Sequence, residues 1–339
     1  ISSAHVQQMQ QLISVVTRVV NLPGFKRHTE GKARLQAGAQ QPLGVFMGYD
    51  FHVGETGPQL IEINTNAGGA FLNALLRDAQ SNCCRSAQDE AITQEHLQQE
   101  FYAMFQHEWQ LARGDRPLKT IAIIDAAPEQ QYLYPEFKLA QAMFARMGLT
   151  ALIADPAELI IQGQALCIKR DGFTHRIDLV YNRLTDFTLK QAHQALLRKA
   201  YEDDLAVITP NPALHARYAD KRNLCALSDE TALRAMGLPE QEIQVLLTTI
   251  PATRIVEPEQ AAALWGARKQ LFFKPWAGFG GKAAYRGDKI TQRIWREILQ
   301  GNYVAQQLIP PSERGIMVDD QRTALKMDIR AYVYAGRIQ

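Results

Sequence analysis

Leu60-Ile61-Glu62-Ile63-Asn64-Thr65-Asn66-Ala67-Gly68-Gly69 alternates apolar and polar residues as far as Asn64 and then breaks into small residues. Alternation is the period of a half-buried strand, so Glu62 and Asn64 are expected on one face and the two isoleucines on the other. Same-face residues of a strand stand about 7 Å apart. A carboxylate and an amide oxygen at that spacing form a hard-oxygen pair suited to magnesium carrying nucleotide phosphates. The small residues that follow allow close backbone approach to an anion. Taken alone, the stretch reads equally as a solvated strand face leading into a turn.

Upstream, residues 44–53 alternate as well, with Met47, Tyr49 and Phe51 on one side and Gly48, Asp50 and His52 on the other. Gly54 and Gly57 supply a turn, so the two runs predict a hairpin. Pairing brings Asp50 near Glu62, where it would orient substrate or a metal-bound water; a solvated surface aspartate is the plainer alternative. Helices are expected over 4–20, ending at Asn21-Leu22-Pro23-Gly24, and over 95–112. Arg113-Gly114-Asp115-Arg116-Pro117 is a hydrophilic break, and residues 1–115 are taken as the first segment.

The pattern then changes. Thr120-Ile121-Ala122-Ile123-Ile124 is a continuous apolar run, as a strand covered on both faces requires. A helix over 135–147, strands over 149–154 and 178–181, a hairpin at Arg170-Asp171-Gly172, a helix over 188–202 and a strand over 205–209 complete a small Rossmann-like parallel-sheet domain, 116–210. Asn182-Arg183-Leu184-Thr185-Asp186 follows one strand at its carboxyl end, where open parallel sheets bind ligands, and Arg183 can clamp a substrate carboxylate bidentately. Helix capping accounts more simply for Thr185 or Asp186.

Pro210-Asn211-Pro212 opens the last segment, 211–339, with helices over 215–236. Strands follow over 270–276, 282–286, 303–309 and 325–334, with a helix over 291–299. Phe273-Lys274-Pro275-Trp276-Ala277-Gly278-Phe279-Gly280-Gly281-Lys282 puts a lysine at the end of an apolar strand before a glycine turn. Lys274 can act there as a point charge on phosphate oxygens, under a loop whose amides at Gly278, Gly280 and Gly281 close over them. The stretch is not a Walker loop, because Lys282 is followed by alanine and no helix is expected after it. A merely connecting hairpin is the alternative. Gln306-Gln307-Leu308-Ile309 runs into Pro310 and offers backbone to an adenine edge, or is an ordinary core strand. Asp328 and Arg330 fall on one face of the last strand, an aspartate to add a metal oxygen and an arginine to neutralise a transferring phosphoryl group. A same-face ion pair would explain them too.

Composition narrows the class. With 46% apolar and 21% charged residues and a net charge of +2, the chain is that of an ordinary globular protein, without the field that would favour nucleic acid or a membrane surface. Cys83, Cys84, Cys167 and Cys225 match no metal spacing or disulfide framework, and a reduced, cytoplasmic setting is expected. No apolar run reaches the roughly 20 residues that cross a bilayer. The chain opens on Ile1 and closes on a turn, Ala335-Gly336, with a return strand barely begun, so both ends are expected to be incomplete.

Together these segments resemble the eukaryotic-type glutathione synthetase family, and the related glutathionylspermidine synthase-like ligases, within the ATP-grasp superfamily. Their nucleotide domain is circularly permuted: the Glu-x-Asn metal strand, last in most ATP-grasp enzymes, comes before the lysine strands, as Glu62-Ile63-Asn64 here precedes Lys274 and Asp328. The resemblance covers most of the chain, with Asp50 matching the family's aspartate-bearing strand and 119–211 its inserted substrate domain. It implies an α/β (α+β) ATP-grasp fold and the cofactors ATP and Mg2+. Glu62 and Asn64 would bind magnesium, Lys221 and Lys274 would hold ATP phosphates, and Gln306, Gln307, Leu308 and Ile309 would border the adenine. Asp50, Arg330 and Arg183 would serve catalysis, Arg183 by receiving the acceptor's carboxylate. The implied partners are a small-molecule carboxylate and an amine, such as a thiol peptide, an amino acid or a polyamine, and the resemblance admits a homodimer. The chain departs from the family in two places. The glycine loop lacks the usual metal-binding glutamate, for which Asp328 is the expected substitute, and the serine-rich peptide-binding stretch is replaced by Asn66-Ala67-Gly68-Gly69. The expected reaction is amide formation through an acyl phosphate. An ATP-grasp kinase releasing a stable phosphorylated product, and a non-catalytic nucleotide-binding regulator, are the alternatives.

Overall fold

The structure, a computed structural model, describes residues 1–30, 42–83, 93–276, 278, 281–318 and 321–339. The chain divides into two compact units, each assembled from separated stretches. The first comprises Ile1–Lys32, Gly48–Asn64 and Ala216–Gln339; the second comprises Ala33–Met47 and Thr65–His215.

In the first unit the expected hairpin forms from the strands Met47–Gly54 and Gly57–Asn64, with Asp50 paired to Glu62. Met47, Tyr49 and Phe51 are buried, as the alternation requires. The strand starts later than residue 44 because Gly44 and Phe46 both take positive φ, which no ladder accommodates. A register shift follows Asp50: Phe51 pairs with Leu60, which leaves Ile61 as an extra residue, a β-bulge. The bulge sends Leu60 and Ile63 into the core, while Ile61, Glu62 and Asn64 stay half-buried. Simple alternation would have buried Ile61 instead.

The strand Ile329–Tyr334 adds to the Asp50 edge of this hairpin, and Arg337–Ile338 pairs beyond it, so the closing turn is the hairpin expected from Ala335-Gly336. Helix Ser3–Val19, capped by the Ser2 hydroxyl, buries Leu12, Ile13, Val16 and Val19 in this unit. The single strand expected over 325–334 is in fact two. Gln321–Met327 pairs with Ser312–Val318 in a separate exposed ribbon, and Asp328 is the corner between the two sheets.

A second antiparallel sheet of the first unit places Thr253–Ile255, Tyr303–Gln307, Leu271–Pro275 and Tyr285–Arg286 side by side. Leu271, Phe273 and Ala305 face Trp295 and Ile298 of helix Gln292–Gln300, whose N-cap is Thr291. Phe272, Lys274 and Gln306 therefore share the opposite face. Gly287 lies where the chain turns back under this sheet: a Cβ there would stand 2.0 Å from the Arg268 carbonyl oxygen and 2.9 Å from that of Leu271. Because both obstacles are backbone, Gly287→Ala is expected to destabilise the protein by about 3 kcal/mol, measured as a lowered urea midpoint at unchanged slope.

The second unit contains the parallel sheet read from the sequence, in the order Thr150–Ala154, Thr120–Ile124, Leu179–Asn182, Val207–Thr209. Helix Tyr134–Arg146 packs on it, and the hairpin at Asp171-Gly172 belongs to a small antiparallel sheet spanning 159–176. Phe46 makes edge-on ring contacts with Phe71, Phe101 and Phe105, Phe71 makes one with Phe101, and Tyr181 meets Phe46 and Phe105. The helix expected over 188–202 is confined to Ala195–Glu202 after a short 3-10 turn. Asp186 prevents an earlier start by accepting the N–H groups of Thr188, Lys190 and Gln191, and Leu189 has a positive φ. Helix Ala70–Cys83 follows the small residues after Asn64, which sequence patterning did not indicate. Cys167 is a buried free thiol. Among the described residues no helix is long and apolar enough to cross a membrane.

Candidate nucleotide and metal site

Most of the expected site residues lie in the first unit, on the open face of the bulged hairpin and of the neighbouring antiparallel sheet. Asn64 donates its amide nitrogen to Asp50 Oδ2 at 3.0 Å and to Glu62 Oε1 at 3.1 Å. Two carboxylates thus converge on one point, the amide nitrogen of Asn64. Arg330 closes the other side, with Nε at 2.6 Å and Nη2 at 2.7 Å from the two oxygens of Asp50. This fork-to-carboxylate pair follows from adjacent strands in one sheet, and it holds the arginine proton more tightly than usual.

Two lysines approach Glu62 from distant parts of the sequence, Lys221 as an ion pair and Lys274 through its field. Lys221 is the residue before helix Arg222–Leu227; its Nζ lies 3.6 Å from Glu62 Oε2 and donates to the Gly278 carbonyl at 2.9 Å. Lys274, 5% exposed, donates to the Ile61 carbonyl and to Gln306 Oε1, each at 2.9 Å. The first of these acceptors belongs to the bulge residue itself, on the edge strand of its sheet. Gln306 is fixed in turn by donating to Thr253 Oγ1 at 3.3 Å.

The electrostatics follow from burial. Desolvation pushes the Glu62 carboxyl up, but Lys221, Lys274, the Asn64 hydrogen bond and Arg330 together outweigh it and hold the group below its usual range. Lys274 is pushed down to about 8, by burial first and by Lys221 after it, against the pull of Glu62 and Asp50. A lysine so placed keeps its charge only because anions are near.

Other expected residues sit differently. Asp328, 75% exposed, turns to His52 Nε2 at 2.9 Å, and His52 Nδ1 lies 2.6 Å from the Ile309 carbonyl. The chain changes sheets at Asp328, and the ion pair of this aspartate is with His52. Gln307 and Leu308 spend their N–H groups on the carbonyls of Ala252 and Gln270. Gly278 supplies the carbonyl that holds Lys221, Gly281 takes a positive φ, and Gly280 lies outside the described residues. Arg183 belongs to the second unit, where it is buried. The side-chain role of Gln306 and the bulge at Ile61 were not foreseen; His52 was visible only as a third polar residue of the Asp50 face.

Among the described residues no three His, Cys, Asp or Glu side chains cluster as a self-sufficient metal cage. Two carboxylates with an amide do fit a hard cation that takes its remaining oxygens from bound phosphates and water.

Comparison with known proteins agrees in fold. No family model matches the sequence. A Frankia casuarinae protein, provisionally assigned as glutamate–cysteine ligase 2-2, is 25% identical over 209 residues, which are 57% of this chain and 23% of that protein. The chain thus spans about a quarter of the length of that curated relative. The apo form of a glutathione synthetase-like effector from Globodera pallida superposes with a TM-score of 0.59, covering 98% of this chain and 80% of that one at 12% identity. At such identity the likeness is one of fold alone.

Proposed function

We propose that the protein is an ATP-dependent, magnesium-requiring ligase that joins a carboxylate to an amine and releases ADP and phosphate, built on a circularly permuted ATP-grasp domain with an inserted parallel-sheet substrate domain. The observation that carries this reading is the convergence of Asp50, Glu62 and Asn64 with Lys221, Lys274 and Arg330 in one unit. Neutralising a triphosphate needs such a set of cations beside a small group of hard oxygen donors.

Magnesium, when held by Glu62 and Asn64 with Asp50 beside them, would neutralise phosphate charge during transfer. Lys221 and Lys274 would exchange their present carbonyl and carboxylate partners for phosphate oxygens, as point charges that Gln306 and the bulge keep aimed at the open face. Arg330, fixed by Asp50, would offset charge on the phosphoryl group in flight. In the first step a substrate carboxylate oxygen attacks the γ-phosphorus and ADP leaves. In the second, the amine nitrogen attacks the acyl carbon, phosphate leaves with the bonding pair, and the amine gives up a proton.

The test is a screen of carboxylate and amine pairs for ADP release, with hydroxylamine as a trap. Release that needs both partners, and a hydroxamate when hydroxylamine replaces the amine, is the expected result. A stable phosphorylated product that gives no hydroxamate would identify a kinase instead, and turnover indifferent to every amine would remove the ligase reading.

A further inference from the structure

His52 and Asp328 take no part in the chemistry derived above, and the exposed ribbon of the first unit stands between them in the chain. Its strands, Ser312–Val318 and Gln321–Met327, form a sheet of their own, with Ser312 paired to Met327 at the base. A two-stranded ribbon is marginal by itself, so its place depends on how its roots are attached. One root is Ile309, followed by Pro310 and Pro311; the other is Asp328, the residue after Met327.

His52 bonds both roots. Its Nδ1 lies 2.6 Å from the Ile309 carbonyl oxygen and its Nε2 2.9 Å from Asp328 Oδ1. A carbonyl and a carboxylate only accept, so both ring nitrogens serve as donors, and the hydrogen-bonding capacity of the imidazole is spent on this bridge. What the roots carry gives the bridge its meaning. Ile309 ends the run Gln306–Ile309, which continues the strand Tyr303–Gln307 along the edge expected to border the base. Asp328 directly precedes Ile329–Tyr334, the strand that bears Arg330. His52 itself stands two residues beyond Asp50, the partner of Arg330, on the same side of the strand Met47–Gly54. One side chain therefore joins three elements of the first unit. An ion pair with a partner as exposed as Asp328 adds little to stability, so what the bridge supplies is position.

We infer that His52 is a positioning residue of the nucleotide site: it holds the chain leaving the base-bordering strand against the start of the Arg330 strand, and so keeps the base end and the phosphoryl end of one nucleotide in a single frame. This role rests on the ligase reading, which supplies the nucleotide. It makes Asp328 the acceptor that completes the bridge, in place of the metal oxygen expected from the sequence. Because Asp50 holds Arg330 independently, loss of the bridge frees the base end and leaves the arginine in place.

Binding of a non-hydrolysable ATP analogue with magnesium is measured by calorimetry on the full chain, for the wild type and for His52→Ala, Asp328→Leu and Asp328→Asn. His52→Ala removes both bonds and is expected to weaken binding by roughly tenfold; Asp328→Leu removes one and is expected to weaken it by less. Asparagine keeps an oxygen for Nε2, so Asp328→Asn should bind as the wild type does. In turnover the loss should fall on KM for ATP, with kcat little changed. Urea midpoints of all three variants should stay close to that of the wild type; if His52→Ala does not fold, the two Asp328 variants, changed at an exposed corner, decide alone. Wild-type affinity in both His52→Ala and Asp328→Leu overturns the inference, as does a loss carried by kcat alone. So does an Asp328→Asn as weak as Asp328→Leu and repaired by extra magnesium, since that returns the carboxylate to the metal. A wild-type chain that binds no analogue is a different result: it removes the ligase reading and, with it, this role for His52.

Discussion

Glu62→Gln is expected to lower magnesium-dependent ATP turnover by roughly 10²–10³-fold, the scale on which an active site loses one preorganised charge-stabilising group. Glutamine keeps the shape of the side chain and removes the charge toward which Lys221, Lys274 and Arg330 are drawn. In the ligand-free protein the same change strips those cations of a partner, so it also destabilises the fold at neutral pH. The sign follows from the direction of the shift. A carboxyl held below its ordinary range contributes stability that is present above that range and is lost as pH falls through its folded value. Wild type and Glu62→Gln should therefore differ in melting temperature at pH 7 and converge in acid, and unchanged turnover would refute the assignment of Glu62 to the metal site.

Lys274→Met is the second large effect, again roughly 10²–10³-fold in turnover if Lys274 stabilises charge in the transferring phosphoryl group. Its stability consequence has the opposite pH signature. Lys274 is pushed from 10.5 down to about 8, so between those values the unfolded chain binds more protons than the folded one. The ligand-free wild type is therefore expected to gain stability from this group as pH rises from 8 to 10.5, by about 3 kcal/mol at most. Methionine lacks that slope, and it leaves the Ile61 carbonyl and Gln306 Oε1 without their donor, which lowers stability at every pH. The pH-dependent part of the wild-type–variant difference, read from chemical denaturation across this range, isolates the lysine. A difference that stays flat would show that Lys274 is not desolvated, and a variant with full turnover would remove it from the phosphate site.

Local patterning made much of this legible. The continuous apolar run 120–124 announced a parallel sheet, and the alternation of 47–53 announced the buried face of Tyr49 and Phe51. That Asp50 would lie near Glu62 was readable from two strands joined by a short glycine turn, but the register that pairs them was not. What escaped was decided by residues distant in sequence. The bulge at Ile61 has no sequence mark, because nothing in Leu60-Ile61-Glu62 distinguishes an extra residue from the next alternation. Asp328 was placed beside Arg330 on the assumption of one continuous strand, whereas the chain changes sheets there and the aspartate turns to His52.

The sequence by itself determined which chemistry-bearing residues the chain owns and on which face of a strand most of them stand, since strand period and turn residues are local properties. Only the tertiary structure decided which of them meet. Lys274 finds Gln306 and the Ile61 carbonyl, and Arg183 is buried among neutral partners while Glu136 is taken by backbone N–H groups. Such encounters depend on strand order, on a one-residue shift in register and on the desolvation that packing imposes, none of which is a property of any short stretch of chain.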